Sequence, residues 1–209
     1  NALTGSFGTV VQAPFTVLEL FVLPLILTMV IAVIAVVNMP SFLATYRKTG
    51  VLDTLRVTPI PPSSVLFAQL VVSAVQMLVG VALMITVAVL AFGLVAPANP
   101  LLVIGMLLLG IAAMYGLGLL VAVIAPTPNA SVAIGLVVFL GLGALGGMFG
   151  PVDALPQPMA TIAQYLPFGA MSQGIGLTWA GIVPDVGPLI ALAAVAVAGA
   201  VVAAWRLRR

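Results

Sequence analysis

The chain has 209 residues, of which only 5% are charged and 64% are hydrophobic, where an ordinary soluble domain is about 25% charged. Six Lys+Arg against four Asp+Glu leave a net charge of +2, which is no footprint for a polyanion. With neither Cys nor His there are no disulfides, thiolate sites, imidazole bases or His-ligated metals. A soluble globular enzyme, a disordered chain and a nucleic-acid-binding domain are excluded, and lipid is left as the solvent.

The first stretch, Asn1 to Thr16, lacks the basic and apolar regions of a signal peptide. A spanning helix needs about 20 largely apolar residues, and Leu20 to Val37 is the first candidate, with Pro24 near its start and Asn38 and Pro40 marking its exit. From Val57 to Val152 no residue is charged. Two proline-containing breaks, Ala96 to Pro100 and Ala125 to Asn129, cut that run into spans near Val65 to Val95, Leu101 to Ile124 and Ala130 to Phe149. Val186 to Trp205 is the fifth. Strict alternation of polar and apolar residues is missing, which disfavours a barrel. The fold class is therefore an all-α membrane protein with five predicted crossings, read as a single transmembrane domain over residues 1–209.

Five crossings put the loop at 41–64, the turn at 125–129 and the C-terminus on one side. That side carries Arg47, Lys48, Arg56, Arg206, Arg208 and Arg209, which are all the positive charges of the chain. The other side carries Glu19, Asp153 and Asp185 and no positive charge. By the positive-inside rule the 41–64 loop and the C-terminus are cytoplasmic. Abundant Ala, Val and Gly with Arg over Lys suggest a bacterial plasma membrane. The 150–185 segment is punctuated by Pro151, Pro156, Pro158, Pro167 and Pro184. Its apolar pieces, Met159 to Leu166 and Phe168 to Ile182, are each too short to span. An outer re-entrant hairpin cornered near Pro167 and a cap lying flat in the interface both suit it.

The four carboxylates, Glu19, Asp53, Asp153 and Asp185, are far apart and none lies mid-way in a long apolar run. A membrane hydrolase or proton relay needs ionisable groups at depth, so no catalytic residue and no metal ligand is assigned. Glu19 at the mouth of the first crossing reads as a solvated helix N-terminus, or as an attractor for a cationic substrate. Gly141, Gly143 and Gly146 spell GxGxxG inside a predicted spanning helix, where the dinucleotide fingerprint has no strand before it. Gly143 and Gly147 read instead as a GxxxG packing pair. There is no P-loop motif. Gln69, Ser73, Gln76 and Gly80 form one polar stripe, either glue between helices or the lining of a substrate path.

The cytoplasmic loop is the informative stretch. From Tyr46 through Ile60 it reads YRKTGVLDTLRVTPI, with Val51, Leu52 and Leu55 on one side of a short helix and Asp53 and Arg56 on another. Thr58-Pro59 stops that helix. Such a helix suits docking onto a soluble partner, or lying on lipid headgroups.

This loop resembles the signature of type-2 ABC exporter permeases, approximately E-R-E-x-G-T-L-E-x-L-x-x-T-P. Arg47, Gly50, Leu52, Leu55, Thr58 and Pro59 match it, and Asp53 stands at an acidic position. Tyr46 and Lys48 replace Glu, and Val51 replaces Thr. The resemblance extends to the order of crossings, the outer segment and Leu166-Pro167-Phe168. It is nearest the daunorubicin-resistance type of drug and lipid export permeases. The family fold has six crossings, and the resemblance places the first of them upstream of Asn1. It implies an ATP-driven exporter of an amphipathic drug or lipid-like compound, with polysaccharide or lipid-linked polymer export as the alternative and a stand-alone secondary transporter further off. The implied partners are two copies of an ABC ATP-binding subunit, which hold the ATP and Mg2+, and a second permease copy or homologue. Tyr46, Arg47, Gly50, Leu52, Asp53, Leu55, Arg56, Thr58 and Pro59 would form the coupling helix against the ATPase. Phe139, Met148 and Phe149, with Gln69 and Gln76, are the candidate substrate contacts.

Overall fold

The structure, a computed structural model, describes residues 15–49, 63–150 and 152–207. All regular secondary structure among these residues is helical, and five helices are long and apolar enough to cross a membrane. Lipid offers backbone groups no partner, so an apolar chain satisfies them within its own helices. The first helix, α1, runs continuously over residues 18–48 in four segments: a π-helical turn Leu18–Val22, an α-helical stretch Leu23–Ala32, a second π-helical turn Val33–Asn38 and an α-helical stretch Met39–Lys48. It is followed by α2 (Ser63–Phe92), α3 (Pro100–Ile124) and α4 (Pro128–Leu145). Two short helices, α5 (Gln157–Tyr165) and α6 (Pro167–Trp179), precede α7 (Val186–Leu207).

The helix starts follow from capping. Asn99 accepts the Leu102 N–H at the head of α3, and Thr127 accepts the Ala130 N–H at the head of α4, each followed by a proline at the first helical position. The ends use glycine. Gly147 and Gly181 have φ of 99° and 80°, and the Met148 and Ile182 N–H groups close back onto Gly143 and Leu177. Both are Schellman ends that only glycine enters without strain. This is why α4 stops at Leu145 and not near Phe149, as its apolar run suggests.

The first crossing does not exit at Asn38 and Pro40. Pro40, like Pro24, is the second residue of an α-helical segment that follows a π-helical turn. Inside a regular α-helix a proline ring clashes with the carbonyl four residues back. The wider π turn moves that carbonyl aside, and the N–H groups of Leu23 and Met39 reach five residues back to Leu18 and Ile34. The helix thus absorbs both prolines without breaking. The carbonyls four residues before Pro24 and Pro40 belong to Leu20 and Val36, and each faces a glycine of another helix. A Cβ on Gly176 of α6 would collide with the Leu20 oxygen, and one on Gly135 of α4 would fall 2.5 Å from the Val36 oxygen. Gly118 of α3 lies against the Ala35 carbonyl in the same way. Such approaches suit Cα–H···O contacts between helices.

These contacts make α1 the hub. In its most apolar stretch 56% of residues are buried, against 11% in α2. Leu23, Leu27 and Ile31 pack with Met114 of α3 and with Phe168, Met171 and Ile175 of α6 in the core. Helix α3 pairs closely with α7, where the backbones of Gly116 and Gly199 touch. It pairs with α6 through two reciprocal contacts: Met171 lies over Gly110 and Met106 lies over Gly174. The two short helices of the 150–185 segment differ in surroundings. Of α5 only Ala163 is buried, whereas nearly every residue of α6 is. Leu166, extended before Pro167, makes the corner between them.

The GxGxxG stretch is a helix end and not a nucleotide loop. Gly141 faces open space and Gly143 is covered by Met148 of its own turn, while Gly146 abuts Phe168 and the Gly169 backbone. The expected Gly143–Gly147 helix–helix pair is not formed, because Gly147 belongs to the turn.

Candidate functional site

Two polar clusters interrupt the apolar bundle, one at each end of the α1–α2 pair. Tyr46, two residues before α1 ends, donates its hydroxyl to Gln69 Oε1 of α2 at 3.1 Å. Gln69 Nε2 donates to Ser73 Oγ at 3.3 Å. Both Gln69 and Ser73 are buried. The hydroxyl of Tyr115 on α3 lies beside Ser73, outside full hydrogen-bond geometry with any of the described residues. The expected polar stripe of α2 therefore divides. Its buried face runs through Gln69, Ser73, Met77 and Ala88, rotated enough to leave Gln76 exposed at its edge.

At the other end sits Glu19, only 2% exposed. It is not a solvated helix terminus. One carboxylate oxygen accepts from the Thr16 N–H at 2.8 Å and from the Thr16 hydroxyl, and the other from the Val95 N–H at 3.3 Å. A buried carboxylate is costly unless such donors replace water. Val95 is also held from behind: Trp179 Nε1 donates to its carbonyl at 3.0 Å, and the Trp179 carbonyl accepts the Ala98 N–H at 2.9 Å. The start of α1, the 93–99 segment and the end of α6 thus meet at one node. Sequence reading missed this role for Glu19 and missed Trp179 and Tyr115. The partners of Val95 lie 76 and 84 positions away, beyond any local pattern.

Of the expected coupling residues, Tyr46 is placed as above and Arg47 lies in the last turn of α1. Gly50, Leu52, Asp53, Leu55, Arg56, Thr58 and Pro59 fall outside the described residues. The five expected substrate contacts are dispersed. Phe139 is buried, edge-on to Phe168 with ring centroids 6.3 Å apart. Met148 is half-buried over Gly143, Phe149 is exposed, Gln69 is in the Tyr46 cluster and Gln76 is exposed on α2.

A bundle of five lipid-length apolar helices, its polar side chains tying helices to one another, defines a multi-pass membrane protein. The family model described as ABC-2 family transporter protein matches residues 9–205, and the chain belongs to that family. It is a permease subunit, the membrane component of an ABC transporter, and the family implies an ATP-binding partner. No curated protein and no solved structure matches the chain.

Proposed function

We propose that this permease exports an amphipathic drug or lipid-like compound, driven by ATP hydrolysis in a separate subunit. The segment between α1 and α2, which follows Arg47 and runs through Pro59, seats in a groove of the ATP-binding subunit. Two such subunits hold the ATP and Mg2+, and two permease copies or homologues face each other. The loop and the C-terminus are cytoplasmic, in a bacterial plasma membrane. The observation that carries this reading is positional. The stretch resembling the permease signature starts in the last turn of α1 and leads toward α2, and the facing ends of the two helices are joined by the Tyr46–Gln69 hydrogen bond, so a push on that stretch acts on two spanning helices at once. An apolar bundle with few aromatic residues (7%) suits a small amphipathic cargo better than a polymer.

Co-purification tests it. Tagged protein extracted in mild detergent is expected to bring down a stoichiometric companion with a Walker A motif, as identified by mass spectrometry. Gly50→Pro with Leu55→Asp is expected to release that companion. A protein that purifies alone at every salt concentration overturns the reading.

A further inference from the structure

Helix α2 is thinly supported, with α1 as its main neighbour and a smaller contact to α3 where Ser73 and Leu70 lie beside Tyr115. Among the described helices it packs on α1 and makes no comparable contact elsewhere, and most of its surface is exposed. The middle of the seam is apolar and small: a Cβ on Gly80 would sit 3.2 Å from Val30 Cγ1. Apolar packing is non-directional, so this middle alone sets the spacing of the helices better than their axial register. Register is fixed at the two ends. On the loop side Tyr46 bonds Gln69, and the Ser73 bond to Gln69 Nε2 orients that amide so that Oε1 faces Tyr46. On the far side Glu19 holds Val95, three residues beyond the end of α2. The Trp179 indole on the Val95 carbonyl carries that tie on to α6.

We propose that the Tyr46–Gln69 and Glu19–Val95 hydrogen bonds lock α2 to α1, so that the pair moves as one body. A push on the facing ends of α1 and α2, at Lys48 and Ser63, then travels the length of the pair to the 93–99 segment and Trp179. Gln69 is on this account a positioning residue for transport and not a wall of the substrate path. Without the lock, α2 tilts on its apolar seam with α1 and the stroke is dissipated there. The proposal rests on the permease reading above. Each tie is one hydrogen bond in lipid, too weak for its loss to unfold a helix pair.

The chain has no cysteine, so Ala98→Cys supplies a single reporter beside Val95. The complex with its ATP-binding partner, in lipid nanodiscs, is labelled with a maleimide fluorophore, without nucleotide and with ATP plus orthovanadate. The labelling rate is expected to change by about five-fold or more on trapping. Tyr46→Phe, Gln69→Leu and the two together are expected to abolish most of that change to the same extent, since each breaks the bond between the helices and the Gln69–Ser73 bond that Gln69→Leu also removes lies within α2. The thermal midpoint of the complex stays unchanged. Thr86→Val, at an exposed position of α2 whose hydroxyl bonds only its own helix, keeps the full change. A full change in the Tyr46→Phe and Gln69→Leu complexes overturns the linkage and leaves the permease reading intact. So does an assembled, ATP-hydrolysing complex with no change at residue 98. Loss of the change together with a fall in midpoint reduces the bond to a structural role and also overturns it. A chain that never acquires an ATP-binding partner overturns the permease reading, and the linkage with it.

Discussion

Glu19 shows what one side chain does in an apolar chain. A carboxylate removed from water needs donors or a counter-ion, and here Thr16 and Val95 supply the donors. It therefore works as a cross-link between the head of α1 and the 93–99 segment. Glu19→Ala leaves the Val95 N–H and the Thr16 groups without their acceptor, and is expected to cost about 1–3 kcal/mol. Glu19→Gln keeps one acceptor oxygen and is expected to cost less. Unfolding of the purified protein in mild detergent checks both. Equal losses in the two variants would mean that the negative charge, and not the geometry of acceptance, holds the node.

At the level of helices, the packing is decided by where backbone meets backbone. The π turns of α1 re-aim carbonyls near Pro24 and Pro40, and the glycines of three other helices lie against them. Gly118 and Gly105 make a controlled pair on α3: a Cβ on the first would run into the Ala35 carbonyl, and one on the second would meet nothing within 4 Å. Gly118→Ala is expected to destabilise the protein by at least about 1–3 kcal/mol through overpacking against backbone. Gly105→Ala is expected to be neutral or to stabilise by up to about 1 kcal/mol, because alanine is the better helix former. Thermal midpoints in the same detergent separate the two. A Gly118→Ala variant as stable as the parent would show that α1 yields there, and would remove the account of α1 as a rigid hub.

For the molecule as a whole, the positive-inside rule sets the expected topology. With all six Lys+Arg residues on one side of a five-crossing layout, the ends of α1 and α2 that flank residues 50–62 are expected to face the cytoplasm. The absence of cysteine makes this directly measurable. A membrane-impermeant maleimide on intact cells is expected to label Ala98→Cys and to spare Lys48→Cys until the membrane is opened. The reverse pattern would invert the protein and place the loop beyond the reach of any cytoplasmic ATPase.

The number and approximate limits of the spans were legible in the sequence because they are local and additive. Apolar run length, proline breaks and capping residues are properties of adjacent positions, and lipid leaves an apolar run no alternative to helix. The loop signature was legible for the same reason, being contiguous. What only the tertiary structure decided depends on what a distant segment brings. Pro40 ends a helix unless the turn before it widens, and the neighbours that face that widened turn are Gly118 and Gly135. Glu19 is solvated unless Val95, 76 positions on, comes to meet it. Gln69 is one polar residue of a stripe until Tyr46, 23 positions back, comes to meet its oxygen. The same logic separates α5 from α6: both are short and cut by prolines, and only packing against α1 and α3 buries the second. Hydropathy is summed along the chain, whereas a hydrogen-bond partner or a facing glycine is assigned across it.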